Sequence, residues 1–166
     1  KMGLDMYVYA KKYTSKYNDE ELNKKLWALF PQLKPIDNID TAEAKFEIGY
    51  WRKANAIHKW FVENVQDGED DCGHYHVERE QLEKLREEIK KVLTDKNRVI
   101  MRLSQGKVNP VIEDNALPTQ DGFFFGGTDY DEYYWRDLEN TLNLLNDILD
   151  NPEKYEGFEF EYHSSW

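Results

Sequence analysis

The chain has 166 residues and is acidic, with 33 Asp and Glu against 22 Lys and Arg and a formal net charge of -11. This length fits a single domain over residues 1–166, because domains commonly contain about 100–200 residues. A field of this sign repels nucleic-acid phosphates and anionic membrane surfaces, so we expect no direct binding to nucleic acid or membrane. Two kinds of partner fit the charge: a small anion in a local basic pocket, or a basic protein on the acidic surface.

Cysteine content and hydropathy bear on the compartment. Cys72 is the one cysteine, so the chain cannot form an internal disulfide, which is typical of a reducing compartment. No apolar run approaches the ~20 residues that a bilayer span needs. Residues 1–5 also lack the apolar core of a secretory signal. We therefore expect the protein to act in the cytoplasm of the cell that makes it.

In the first half of the chain, strands and helices alternate. Apolar and polar residues alternate over 4–10, which predicts a strand. Asp19 is a candidate cap for a helix whose apolar residues extend to Phe30. A second alternating segment predicts a strand over 45–51. The period then changes at Trp51 and predicts a helix of roughly four turns.

The second half adds two helices and one strand. A helix is predicted around Leu82–Leu93, and another over about 131–150, which Asn151 and Pro152 end. Residues 98–118 show no dominant period, whereas alternation over 158–163 predicts a C-terminal strand. The assembly expected from these elements is α+β, with about four helices packed on one face of a small, mainly antiparallel sheet. Its strands are the N-terminal, 45–51 and C-terminal segments.

Two cations stand where the second strand meets the following helix. Arg52 and Lys53 are predicted in the first helical turn, where free backbone N–H groups and the helix dipole favour an anion. Cations there oppose the dipole, and a bound phosphate or carboxylate would remove that conflict. Trp51, Asn55 and His58 form the helical stripe beside the core and would line a pocket wall. The alternative is that both cations pair with surface acids.

Two residues are candidate catalysts of a small hydrolase. His58 as a general base needs a nucleophile or an acidic group to orient it, and no residue at a fixed spacing supplies either. A hydrogen-bonded, partly buried histidine is the alternative. Cys72 follows Asp70 and Asp71, and negative neighbours disfavour a reactive thiolate. We therefore assign no catalytic residues and expect binding rather than catalysis.

One short segment contains residues of the kind that bind metals. Cys72, His74 and His76 would share one face of an extended segment, and all three are zinc or nickel ligand types. Ligands this closely spaced strain a tetrahedral shell, and a fourth ligand is not evident nearby. The chain also lacks the glycine-rich phosphate motifs GxGxxG and GxxxxGK[ST]. The sequence therefore predicts neither a metal nor a cofactor.

The segment TQDGFFFGGT, residues 119–128, combines glycines, aromatic residues and hydrogen-bonding groups. Three successive phenylalanines cannot all face one side of an extended segment, so at least one is expected to point away from the main core. The glycines permit close backbone approach. Thr119 and Gln120 add polar groups beside the aromatic surface, a mixture typical of small-molecule sites. The alternative is a buried strand with glycine turns.

Aromatic residues of this segment and of the next helix could together form a stacking surface. Tyr133 and Trp135 lie off the apolar stripe of the last predicted helix, so they are expected beside the glycine-flanked loop. Phe124, Phe125 and Tyr133 would then present rings to a planar ligand, as aromatic side chains do for bases. A surface rich in Tyr, Trp and Arg is equally typical of a protein interface.

Several segments together resemble a group of short proteins encoded by bacteriophages and prophages. They are MGLDMY (2–7), YWRKANAIHKWFV (50–62), DCG (71–73), LPTQxGFFFG (117–126) and YDEYY (130–134). The resemblance spans nearly the whole chain, and the long central motif is specific. It implies a context, because small phage accessory proteins often act against bacterial defence. Some sequester a nucleotide-derived immune signal, and others bind and block a defence protein.

The sequence favours the first of these strategies, which is sequestration of a small, phosphate-bearing, nucleotide-like ligand without catalysis. The expected ligand-binding residues are Trp51, Arg52, Lys53, Asn55, His58, Thr119, Gln120, Phe124, Phe125 and Tyr133. One alternative is an inhibitor of a host defence protein whose acidic surface mimics nucleic acid. The other is a hydrolase that uses His58.

Overall fold

The computed structural model describes residues 3–36, 39–94, 99–112 and 115–166, and it has an α+β fold. The strands are β1 (Asp5–Thr14), β2 (Ala42–Arg52), β3 (His74–Val77), β4 (Val99–Ser104), β5 (Lys107–Ile112) and β6 (Glu159–Ser165). The helices are α1 (Glu20–Ala28), α2 (Asn55–Asn64), α3 (Arg79–Thr94) and α4 (Glu132–Asp150), and a short 3₁₀ helix follows at Pro152–Tyr155. Within these ranges no helix has the length and apolar character needed to cross a membrane.

The main sheet is antiparallel and has the strand order β2-β1-β6-β3. It confirms the prediction that the N-terminal, 45–51 and C-terminal segments form one mainly antiparallel sheet. The edge strand β3 was not predicted as a strand. Strands β4 and β5 form a separate hairpin in the segment for which the sequence showed no period. Gln105 and Gly106 both have positive φ in its tight turn, and this geometry suits a two-residue hairpin. Residues 98, 113 and 114 of that segment lie outside the described ranges.

One face of the sheet packs against the helices. Met6, Val8 and Ala10 of β1 are buried there, as the predicted alternation requires. The same core includes side chains from α2, α3 and α4, among them Ile57, Phe61, Leu85, Ile89, Leu138 and Leu145. Helix α4 keeps the predicted bounds, and Asp131 caps it by accepting the N–H groups of Tyr133 and Tyr134.

The opposite face of the sheet carries a nearly buried carboxylate. Glu161 of β6 is 6% exposed and accepts hydrogen bonds from Lys11 Nζ at 2.5 Å, Lys45 Nζ at 2.9 Å and His74 Nδ1 at 2.6 Å. Burial by itself would raise the pKa of Glu161, but the three hydrogen bonds outweigh it and lower this pKa to about 2. The cluster joins all four strands of the sheet.

The start of α2 differs from the sequence prediction. Strand β2 continues through Arg52, which lies opposite Asp5 in the register of β1, and the helix begins only at Asn55. Lys53 turns the chain between them with a φ of 57°, and its N–H donates to the Leu4 carbonyl at 2.8 Å. The placement of Arg52 and Lys53 in the first helical turn was therefore wrong, because sheet pairing extends the strand past the point where the period changes.

Candidate functional site

A cleft of about 370 Å³ lies between the start of α2 and the start of α4. Its α2 side consists of Arg52, Lys53 and residues 54–57. Its α4 side consists of Asp131, Tyr133, Tyr134, Asp137 and Leu138, and the 119–129 loop contributes Thr119, Gly126, Gly127 and Asp129. Clefts of about 300–1,000 Å³ are the usual size for small-molecule sites. Five of the ten predicted site residues line it: Arg52, Lys53, Asn55, Thr119 and Tyr133.

The start of α2 in the cleft wall has no capping side chain. Its N-cap residue is Ala54, which has no side-chain oxygen, and the first turn contains no acidic residue. The N–H of Asn55 donates to the Lys53 carbonyl at 2.9 Å, and the N–H of His58 donates to the Ala54 carbonyl at 3.0 Å. Helix starts without a cap keep free N–H donors and a partial positive charge. This end of the cleft therefore favours an anion.

The two cations at this end of the cleft differ in their surroundings. Arg52 Nη1 lies 3.2 Å from Oδ1 of Asp5, a carboxylate only 1% exposed. The side chain of Lys53 is exposed, and within the described ranges its ammonium has no hydrogen-bond or ion-pair partner. Gly126 lies so close to Lys53 that a Cβ added at Gly126 would be 3.1 Å from the Cβ of Lys53. Lys53 therefore has the more available charge, whereas Arg52 also supports the fold.

The opposite wall contains a carboxylate without a partner. Asp137 is half-buried, and its side chain forms no hydrogen bond or ion pair with any residue that the structure describes. Burial raises the pKa of Asp137 to about 6, with a smaller opposing effect of Arg136 and a further increase from Asp131. A perturbed carboxyl group in a cleft is a common mark of a functional site. Asp137 was not among the predicted site residues.

Asn55 anchors the loop that forms one rim of the cleft. Its Nδ2 donates to the Phe125 carbonyl at 3.0 Å and to the Gly127 carbonyl at 2.8 Å. Its Oδ1 accepts the backbone N–H of Gln120 at 2.9 Å. The residue is 4% exposed, so its amide is used within the protein rather than offered to a ligand. The side-chain Oε1 of Gln120 is also buried, and Gln120 does not line the cleft.

His58 lies outside the cleft and is 0% exposed. Its Nδ1 is 2.7 Å from the hydroxyl of Tyr162, and its Nε2 is 2.9 Å from Oδ2 of Asp70. Burial lowers the pKa of His58, while the hydrogen bond that the ring donates to Asp70 acts in the opposite direction. Asp70 is the acidic orienter that sequence spacing did not reveal. Because a substrate cannot reach this ring, His58 is a core histidine with both nitrogens bonded.

The predicted stacking surface is only partly present. Trp51 is 6% exposed and donates its indole N–H to Thr141 Oγ1 at 2.8 Å, so it belongs to the core. Phe125 is 7% exposed and packs edge-on against His58, and Phe124 packs partly buried against the core. Phe123, at 92% exposed, is the phenylalanine that points outwards. The 119–129 loop covers the stripe of α2 that includes Asn55 and His58, so the rings of Phe124 and Phe125 serve packing.

Tyr133 is the one predicted aromatic residue that lines the cleft, and it is 64% exposed.

A sequence signal did exist for Asp137, because it lies on the stripe of α4 formed by Tyr134, Leu138 and Thr141, which is buried. A charged residue on such a stripe is unusual unless it is paired or functional. The helical spacing of Asp137 can be read from the sequence, but the element that packs opposite Asp137 cannot.

The histidines of the candidate metal-binding segment 72–76 bond carboxylates. His74 bonds Glu161, and Nε2 of His76 lies 2.9 Å from Oε1 of Glu78. Cys72 precedes β3 with a φ of 57°. Among the residues with described positions, no group of three or more His, Cys, Asp or Glu side chains is arranged to hold a metal ion.

No protein-family model matches the chain, and no curated protein or solved structure is significantly similar to it.

Proposed function

We propose that the protein binds a small, phosphate-bearing, nucleotide-like ligand in the cleft between α2 and α4 and holds it without chemical change. The observation that supports this proposal is that a helix start without a capping side chain lies beside the ammonium of Lys53 in a cleft of ligand size. No residue that the structure describes pairs with this ammonium. Backbone N–H groups at a helix start and a nearby lysine are a common combination for binding phosphate.

In this proposal each side of the cleft has a separate task. Lys53, Arg52 and the first N–H groups of α2 bind the phosphate. The exposed ring of Tyr133 on the α4 side provides a stacking face for a base. Thr119 is already bonded through its hydroxyl to the Thr128 carbonyl at 2.8 Å, so it shapes the rim.

The cleft favours binding over catalysis because its lining lacks an activated nucleophile. Among the residues that the structure describes, no Ser, Cys or His lines it, and the one lining hydroxyl outside the tyrosines, that of Thr119, is bonded to a carbonyl. Acyl or phosphoryl transfer needs a nucleophile, an activating base and a charge-stabilising site together. With the resemblance to phage and prophage proteins, this supports sequestration of a nucleotide-derived immune signal in the host cytoplasm.

Calorimetry with nucleoside monophosphates tests the proposal on wild type and Lys53→Asn. Asparagine tolerates the left-handed backbone of this position, so the variant removes the charge with little strain. Loss of one charge-assisted hydrogen bond of about 1.5–3 kcal/mol lowers affinity about ten- to a hundred-fold. Lys34→Asn, a matched change at an exposed loop position, leaves affinity unchanged. Absence of binding to every monophosphate, or equal affinity of the Lys53 variant, contradicts the proposal.

A second assay separates holding from turnover. Excess nucleotide is incubated with less protein than nucleotide, the protein is denatured, and the small molecule is identified by chromatography. A binder returns all of it unchanged. More than one equivalent of a new product per protein refutes sequestration.

An exposed apolar group favours a second candidate, the blocking of a host defence protein. Leu29, Phe30, Leu33, Ile36 and Ile39 are each more than half exposed after α1. Clustered exposed apolar side chains commonly mark protein interfaces. In cells that carry the defence system, Phe30→Asp with Leu33→Asp would then abolish protection of the phage, whereas Lys53→Asn would not. The reverse pattern supports ligand binding.

A further inference from the structure

The α4 wall of the cleft has the wrong charge for a ligand that is only an anion. Asp131 and Asp137 lie in this wall, and Asp129 of the adjoining loop also lines the cleft. Asp131 is used as the cap of α4, where it accepts two backbone N–H groups. Asp129 is exposed and can be hydrated. Asp137 is the half-buried one, and no described residue donates a hydrogen bond to its carboxylate.

The position of Asp137 is fixed by buried neighbours. Thr141 Oγ1 donates to the Asp137 carbonyl at 2.6 Å and accepts the indole N–H of Trp51 at 2.8 Å. This pair of bonds ties the first turns of α4 to the end of β2, next to the two cations. Leu138, beside Asp137 on the helix, is 0% exposed. The backbone of Asp137 is therefore held at a defined place in the cleft wall, and its half-buried carboxylate is partly desolvated there without a described partner, which is unfavourable.

A carboxylate is purely an acceptor when ionised, so its partner has to be a donor. The charged and titratable groups that line the cleft around Asp137 are Arg52, Lys53, Asp129, Asp131, Tyr133 and Tyr134, and Arg136 adjoins it on the same helix. In the described ranges neither cation of the α2 wall pairs with Asp137. A ligand in the cleft can therefore supply the donor that the described residues do not.

We infer that the cleft selects nucleotides that carry an exocyclic amino group, which donates to the carboxylate of Asp137 while the phosphate lies against Lys53 and the start of α2. This inference rests on the proposed function and specifies its ligand class. Adenine and cytosine present such an amino group, whereas hypoxanthine and uracil present a carbonyl oxygen at the same position. An oxygen there would face the lone pairs of the carboxylate, and a site built for a donor rejects an analogue that lacks it.

Protonation gives the inference an internal check. Burial raises the pKa of Asp137 to about 6, so at about pH 5 the carboxyl group is mostly protonated. A protonated carboxyl group can donate to a carbonyl oxygen. The preference for amino-bearing bases should therefore weaken as the pH falls through about 6. The ligand phosphate also titrates near pH 6, but this change is common to both members of a pair and cancels in their affinity ratio.

The experiment compares AMP with IMP, and CMP with UMP, by calorimetry at about pH 7.5 and about pH 5. At the higher pH we expect each amino nucleotide to bind at least about ten-fold more tightly than its partner, since the other nucleotide lacks a charge-assisted hydrogen bond. At the lower pH the ratio should fall. Asp137→Asn, which can both donate and accept, should remove the preference, and Asp129→Asn makes the same charge change on an exposed cleft residue and should keep it.

The outcomes separate this inference from the proposed function. If both members of each pair bind equally, and Lys53→Asn weakens both, the anion site stands and the role of Asp137 is refuted. If none of the four nucleotides binds, both are refuted. A preference that persists in Asp137→Asn also overturns the inference, because the selecting group is then elsewhere.

Discussion

Replacing Glu161 with glutamine perturbs the ionic cluster on the open face of the sheet while keeping the size of the side chain. Glu161 accepts hydrogen bonds from Lys11, Lys45 and His74, which lie on three different strands. Glutamine is neutral and cannot accept all three equally. We therefore expect Glu161→Gln to lower the free energy of unfolding without changing the fold.

The size of the effect follows from the pKa of Glu161, which the cluster lowers from 4.5 to about 2. That difference corresponds to roughly 3 kcal/mol, at about 1.4 kcal/mol for each ten-fold change in proton affinity. Lys11 and Lys45 are 22% and 34% exposed, so water screens part of the interaction. We therefore expect Glu161→Gln to cost about 2 kcal/mol near neutral pH.

The sign of the pH dependence is fixed, because the folded state binds the proton of Glu161 less tightly than the unfolded state does. The stabilisation is complete above pH 4.5 and is lost as the pH falls towards about 2. Urea unfolding of wild type and variant at about pH 7 and about pH 3 measures this. By about pH 3 the difference in the free energy of unfolding between wild type and Glu161→Gln should be less than half its value at about pH 7.

Glu159→Gln provides the matched control, since Glu159 is exposed on the same strand and two residues away on the same face. Its effect should stay within about 0.5 kcal/mol, as is usual for surface positions. A difference between wild type and Glu161→Gln that is the same at both pH values would refute the reasoning. So would an equal loss of stability in the control.

Two further predictions concern the walls of the cleft. Asn55→Ala should cost about 2–3 kcal/mol in urea unfolding, because three backbone groups of the 120–127 loop lose their partner, whereas the exposed Asn143→Ala should cost less than about 0.5. Equal losses would show that the loop does not need this anchor. Asp137→Asn should stabilise the protein by about 1–2 kcal/mol at about pH 7, allowing for partial exposure, because the ionised carboxyl group is desolvated. Because the pKa of Asp137 is raised in the folded state, the ionised carboxyl group destabilises the folded protein increasingly as the pH rises from 3.8 to about 6. The gain from Asp137→Asn should therefore vanish at about pH 4. A gain that persists at that pH would contradict a raised pKa of Asp137.

The fold class and most elements could be predicted from the sequence, because periodicity reports which faces of a strand or helix are buried. Strand β1 and helix α4 show this most clearly, and both occur where the pattern predicts them. The β4–β5 hairpin could not be predicted by period, since several of its apolar residues, such as Met101 and Leu103, are exposed. Its turn at Gln105 and Gly106 was the available local signal.

At the candidate site, local sequence indicated the cationic end of the cleft, because Arg52 and Lys53 adjoin a strand-to-helix junction whatever its exact boundary. Tertiary structure decided the rest. Pairing of the end of β2 with Asp5 makes the helix begin at Asn55, later than the change of period predicts. The loop held by Asn55 buries the stripe that was predicted as a pocket wall. Residues far apart in the chain meet only through packing, and a periodic pattern records burial without recording which element provides it.

The opposing wall illustrates the same limit. Asp137 is 84 residues from Lys53 in sequence, and only the packing of α4 against α2 places both in one cleft. The identity of Asp137 as a charged residue on an apolar stripe was determined by the sequence. Its lack of a partner among the described residues, its raised pKa and its position opposite a cation depend on desolvation and distance, and these are properties of the folded chain alone.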